Sequence, residues 1–98
     1  MELYELGSAI EVENEFKEHS GFSGAVLVNA DSVTISVIDP AGTVKVDADD
    51  MNNFATGWYR YTVQTATDWV AGTYEIKINS SKDGQTDVKR IRKAFRLY

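Results

Sequence analysis

The side chains that most often perform catalysis or bind metals are few in this chain. His19 is the only histidine and there is no cysteine, so one chain cannot assemble the usual zinc ligands or a Cys–His nucleophile pair. Ser23, in GFSGA, is followed directly by glycine and does not match the G-x-S-x-G nucleophile elbow. We therefore predict a protein that is not an enzyme and uses no cofactor.

Three aspartates in DADDMNN resemble calcium ligands: Asp47, Asp49 and Asp50. An EF-hand loop that began at Asp47 would need glycine at its sixth position and glutamate at its twelfth, where this chain has Asn52 and Trp58. We interpret the segment as a solvated acidic loop and predict no metal site. An irregular calcium site at one end of a sandwich is the alternative.

Charge is strongly segregated between the two ends of the chain, whose net charge is −5. Residues 1–18 contain six acidic side chains and one lysine, whereas residues 89–98 hold five of the ten basic side chains. Together with two candidate exposed aromatics, these ends provide the candidate interaction residues: Glu11, Glu13, Glu15, Arg90, Arg92, Arg96, Trp58 and Trp69. No catalytic residue is proposed.

The basic end, KRIRKAFRLY, has the pattern of a strand. Ile91, Phe95 and Leu97 share one parity and the three arginines share the other, whereas a membrane-binding helix would space its apolar residues by three and four. A disordered nucleic-acid tail has no reason for this register, so we expect neither nucleic-acid nor membrane binding. Lys93 interrupts the apolar face, which predicts a bulge or an edge position there.

Period-two alternation continues through the rest of the chain and predicts an all-β fold. Three segments have one apolar face each: Val33, Ile35 and Val37; Tyr59, Tyr61 and Val63; Tyr74, Ile76 and Ile78. The turn residues of DPAG and KDG predict two hairpins. SAIEVENEF also alternates, although Ser8 and Glu11 fit a helix capping box; we interpret it as a strand with Asn14 pointing inward or marking a bulge.

The acidic first strand and the basic last strand allow two arrangements. As neighbours in one sheet, they would form cross-strand pairs of opposite charge. On separate edges, they would make each molecule a dipolar tile whose head-to-tail association forms rings or filaments.

With 98 residues, the chain is long enough for one domain, residues 1–98, with a single core. It has no signal-peptide pattern and no apolar run long enough to cross a membrane. We expect a complete small gene product that is not exported, with a domain of a larger surface protein as the alternative.

The order of the segments resembles an immunoglobulin-like pattern of the bacterial and macroglobulin type. The matching phrases are YELGSAIEVENEF, DSVTISVIDPAGTV, GWYRYTV, DWVAGTYEIKI and AFRLY. The resemblance implies an immunoglobulin-like antiparallel β-sandwich of about seven strands. It also implies that Tyr61 and Tyr74 are core aromatics.

Short chains of this kind that begin with a Tyr-x-Leu-Gly phrase are similar to small immunoglobulin-like proteins encoded among phage and prophage structural genes. The resemblance implies a structural or interaction module, a virion component that binds protein partners or copies of itself through strand edges and charged faces. Its location would be the virion or the host cytoplasm. The alternative is an adhesive or carbohydrate-binding module of the cell surface that uses Trp58, Trp69 and the acidic loop.

Overall fold

The computed structural model describes residues 1–18 and 25–98 in full, together with the backbone of His19. This part of the chain forms strands and turns, so the all-β prediction is confirmed. None of its residues forms a helix long and apolar enough to span a bilayer. Its ten strands are β1 (Glu2–Tyr4), β2 (Ala9–Glu15), β3 (Lys17–His19), β4 (Ala25–Leu27), β5 (Ser32–Ile38), β6 (Val44–Asp50), β7 (Asn52–Ala55), β8 (Trp58–Gln64), β9 (Gly72–Lys82) and β10 (Gln85–Leu97).

The strands form a sandwich-like arrangement around one core. The larger sheet has the order β1-β10-β9-β5-β6, the second has the order β2-β8-β7, and β3 pairs with β4. Every pair is antiparallel except β1, which runs parallel to β10. The structure has six strands of seven or more residues, close to the expected seven, and the count reaches ten because four strands of three or four residues, β1, β3, β4 and β7, also pair.

The predicted apolar faces are the buried faces. The core contains eight of the nine side chains assigned to it from alternation, and Phe95 and Leu97 of β10 join them. The ninth, Tyr61, is half-buried and packs against the core. This agreement follows from strand geometry, since successive side chains point to opposite faces of a sheet.

Both predicted hairpin turns are present. In the β5–β6 turn, Asp39 Oδ1 accepts hydrogen bonds from the backbone N–H groups of Ala41 (2.9 Å) and Thr43 (2.8 Å), and Gly42 has a φ of 89°. In the β9–β10 turn, Asp83 and Gly84 have φ values of 53° and 78°, the two positive values of a type I′ turn.

Two further details of the strand predictions are confirmed. SAIEVENEF forms β2, and Asn14 points inward with 6% of its surface exposed. In β10, Ile91 lies opposite Ile76 and Phe95 lies opposite Tyr74, so β10 bulges between them. The bulge includes Lys93, whose side chain is exposed as expected.

The chain itself closes one side of the sandwich. β6 ends at Asp50 and β7 begins at Asn52, so the chain passes from the larger sheet to the second sheet at Met51. Met51 is buried, and its N–H donates to the carbonyl oxygen of Val33 (2.9 Å). On the side of β2 and β10, the described part of the chain crosses at one end, where residues 5–8 join β1 of the larger sheet to β2 of the second.

Candidate interaction surface

The side of the sandwich formed by β2 and β10 is open, and we call it the seam. β2 is the edge strand of its sheet, and β10 pairs with β1 only through Phe95, Arg96 and Leu97. A groove of about 410 Å³ lies between β2 and β10, with residues of β1 at one end, and its lining combines apolar side chains such as Ile10 and Ile91 with the charged Glu13 and Lys93. The seam therefore consists of β2 and residues 85–94 of β10, two strand edges without a partner strand in the described part of the chain.

The two strands of the seam run in opposite directions past one another. Near its middle, Lys89 Nζ donates a hydrogen bond to Asn14 Oδ1 across the seam (3.4 Å). Towards one end, Ile10 lines a groove with Phe95; towards the other, Phe16 lines a cavity with Gln85. Asn14 is therefore approximately level with Lys89.

The predicted charged residues lie on the outer faces of two different sheets. Those on β2 (Glu11, Glu13 and Glu15) and those on β10 (Arg90, Arg92 and Arg96) are all exposed. Because β2 and β10 belong to separate sheets, the first of the two predicted arrangements does not occur. The acidic and basic strands occupy separate edges, but both edges line the seam.

The charged residues of the seam find other partners within the chain. Glu11 lies 3.6 Å from Arg60 of β8, and Arg90 lies 3.3 Å from Glu75 of β9. In the described part of the chain, neither Glu13 nor Arg92 forms an ion pair. These exposed ion pairs contribute little to stability, and charge on both edges is left for a partner.

Arg96 differs from the other two arginines of β10. It lies opposite Thr73 of β9 on one side and opposite Leu3 of β1 on the other. Its backbone is therefore inside the sheet, whereas Arg90 and Arg92 belong to the stretch of β10 that β1 leaves uncovered. Of the three predicted arginines, these two are in the seam.

The two candidate tryptophans do not form one surface. Trp58 lies on the second sheet beside Phe54, with ring centroids 6.4 Å apart, and the Arg60 guanidinium lies 3.8 Å from the Phe54 centroid. Trp69 stacks on the buried Tyr74 ring at 5.8 Å and 18°. Trp69 therefore covers the core, and only Trp58, which is half-buried, lies beside an exposed aromatic ring, that of Phe54.

The three aspartates lie in β6, so the prediction of an acidic loop is wrong. The strand continues through them because Ala48 adopts a positive φ of 47° and its N–H donates to Ser36 Oγ (3.0 Å). Asp49 Oδ2 accepts a hydrogen bond from the Tyr61 hydroxyl (2.7 Å). Within the described ranges, no group of three or more His, Cys, Asp or Glu side chains is arranged to hold a metal ion.

The hydrogen bond between the Tyr61 hydroxyl and the Asp49 carboxylate changes the pKa of Tyr61. Chiefly because the Asp49 carboxylate accepts the phenolic proton, with burial as a smaller cause, the pKa of Tyr61 is raised from 10.0 to about 12. The folded state holds this proton more tightly than the unfolded state, so the associated stabilisation is complete below pH 10 and is lost as the pH rises towards 12.

Asp49→Asn is expected to lower the Tyr61 pKa towards 10.0, because the amide is uncharged. Tyrosinate absorbance measured against pH, with Tyr61→Phe spectra subtracted, isolates this group among the five tyrosines. An unchanged titration in Asp49→Asn would show that the carboxylate does not set the pKa.

The remaining candidates for chemistry contribute no site. The backbone of His19 belongs to β3 rather than to a loop. Ser23 lies outside the described residues.

Sequence reasoning missed the apolar part of the seam side. Leu3 on β1 and Val88 on β10 are 63% and 52% exposed, and Met1 is 65% exposed. A signal for Val88 was available, since it shares the parity of Arg90 and therefore had to point outward. Leu3 had no such signal, because β1 is only three residues long.

Comparison of the chain with family models, curated proteins and solved structures gave no significant match. The candidate surface is therefore defined by the residues of this chain. It consists of an acidic edge and a basic edge on either side of a groove of mixed polar and apolar lining.

Proposed function

We propose that this protein is a non-enzymatic structural or interaction module that associates with protein partners, including copies of itself, through strand edges. One observation carries the proposal: the two free edges at the seam have opposite charge. A free edge presents unpaired N–H and C=O groups that another strand can pair with. Many proteins protect such edges with charged side chains. Here the two edges have charges of opposite sign, so they attract each other.

The finer assignment is an immunoglobulin-like virion component of a phage or prophage. It is supported by the resemblance of the YELG, DPAG and tyrosine-centred segments to small proteins of that kind. The virion or the host cytoplasm is the corresponding location. A fold of this type serves many roles, so the assignment depends on the resemblance and not on the architecture.

Light scattering on the purified chain at low and high salt tests the association. We expect a mass that is a multiple of the monomer mass of 10.9 kDa at low salt and that falls as salt screens the charges. A monomer at both salt concentrations, up to the highest soluble protein concentration, would contradict self-association.

The alternative of a carbohydrate-binding module depends on the Phe54–Trp58 pair, because Trp69 covers the core. Exposed aromatic rings are the usual stacking surface for a sugar ring. Tryptophan fluorescence of the wild type and of Trp58→Phe during titration with glycans would distinguish this function, since only Trp58 should respond.

A further inference from the structure

We infer that the partner of the seam is a second copy of this chain, related to the first by a two-fold axis parallel to the strands, so that association closes at a dimer. The inference deepens the proposed function and depends on it. It replaces the ring or filament expected for a dipolar tile.

The two charged edges lie on the same side of the molecule. An acidic edge and a basic edge on opposite sides of a molecule lead to head-to-tail growth. Here β2 and β10 line the same groove, while the Met51 crossing closes the other side. One partner molecule can therefore engage both edges of the seam at once, which leaves neither of them for a third copy.

The charges of the two edges select between the two possible symmetry axes. A two-fold axis perpendicular to the sheets would place β10 against β10 and β2 against β2, so that arginines face arginines and glutamates face glutamates. An axis parallel to the strands places each β2 against the β10 of the other copy. Only this second arrangement brings opposite charges together, and like charges in contact are strongly unfavourable.

The direction of the two strands and their level along the seam also fit this axis. Rotation about an axis parallel to the strands changes neither, so β2 remains antiparallel to the β10 that it meets. Since Asn14 is level with Lys89 within one copy, Glu13 of one copy lies near the level of Arg90 of the other, and Glu11 near that of Arg92. The rotation also places these outward-pointing side chains on the same face of the joined sheet.

The dimer would provide partners for the unpaired strand edges and the apolar side chains of the seam. Each five-stranded sheet would continue into the three-stranded sheet of the other copy, so that β2 and residues 85–94 of β10 gain a partner strand. The two grooves would face each other, so that the half-buried side chains of Val12 and Ile91 are shielded from water. The exposed Val88 would lie at the new strand pair.

Two charge-reversal variants test the inference. E11K/E13K makes both edges basic, and R90E/R92E makes both edges acidic. Each variant alone should be a monomer at concentrations where the wild type is a dimer, with a dissociation constant raised about a hundredfold or more. Their equimolar mixture should recover the dimer mass as a one-to-one heterodimer, because both strand pairs are then complementary. Light scattering and native mass spectrometry measure these masses.

Matched controls separate the seam from general charge effects. D50K/D68K makes the same charge change as E11K/E13K at exposed positions away from the seam and should remain a dimer. R96E reverses a charge of β10 where β1 already covers the edge, so it should weaken the dimer less than R92E does. Circular dichroism establishes that each variant is folded. If E11K/E13K is not, E13K replaces it, because Glu13 has no ion pair in the described part of the chain.

The outcomes distinguish this inference from the proposed function. A monomeric wild type overturns this inference and the self-association in the proposed function, but not association with a different protein. A wild-type oligomer that the charge reversals do not affect overturns the seam pairing alone. Masses that grow with concentration beyond the dimer, in the wild type or in the mixture, overturn the two-fold closure and favour open assembly.

Discussion

Tyr74→Ala is expected to lower the free energy of unfolding by about 3–5 kcal/mol, the usual cost of removing a large buried aromatic side chain. Tyr74 is fully buried in the middle of an aromatic stack, 5.1 Å from Phe95 on one side and 5.8 Å from Trp69 on the other. Its hydroxyl donates to the carbonyl oxygen of Val70 (2.7 Å). The alanine variant would lose ring contacts on both faces and this hydrogen bond.

Urea unfolding followed by circular dichroism measures the effect, and two variants separate its parts. Tyr74→Phe retains the ring and removes the hydrogen bond, so about 1 kcal/mol should be lost. Tyr98→Ala removes the same side chain from a 61% exposed position and should change stability by less than about 0.5 kcal/mol. A Tyr74→Ala loss no larger than that of Tyr74→Phe would show that the stack does not stabilise the core.

Gly57→Ala is expected to cost about 3 kcal/mol or more, from backbone strain and steric overlap together. Gly57 has a φ of 76°, which disfavours any side chain. A Cβ there would lie 2.9 Å from the carbonyl oxygen of Phe16 and 3.0 Å from Leu27. Phe16 cannot move away easily, because its N–H donates to the carbonyl oxygen of Gly57 (2.7 Å).

Gly42→Ala is the matched control for Gly57→Ala. Gly42 has a φ of 89°, but a Cβ there would meet nothing within 4 Å. Its substitution should therefore show the conformational cost alone, about 1–2 kcal/mol. Urea unfolding of both variants gives the difference that is due to overlap with Phe16 and Leu27. Equal losses would show that the β3–β4 hairpin shifts to accommodate the methyl group.

Gly57 also illustrates why part of the fold was not predictable. The β3–β4 hairpin is bonded to the β7–β8 turn through Phe16 and Gly57, which are far apart in the chain. The strands involved, apart from β8, are only three or four residues long. Alternation cannot be recognised over so few residues, so these strands form because the tertiary contacts provide partners for them.

For the charged residues, too, the sequence predicts some features and the tertiary contacts decide the others. Their alternation with apolar residues in β2 and β10 predicted both strands and the outward direction of Glu11 and Arg90. It did not predict their partners, Arg60 and Glu75, because ion pairs depend on which strands become neighbours. The acidic stretch of β6 was misinterpreted for a related reason, since pairing with β5 holds three aspartates in a strand that local propensity disfavours.

The sequence by itself determined the all-β class, the buried faces of β5, β8 and β9, the two hairpin turns and the bulge near Lys93. These features follow from side-chain alternation and turn chemistry, which act over a few residues. Only the tertiary structure decided that β2 and β10 lie in different sheets and yet border the same seam. That arrangement results from pairing between distant segments and from the crossing at Met51, and it brings the acidic and basic edges to one side of the molecule.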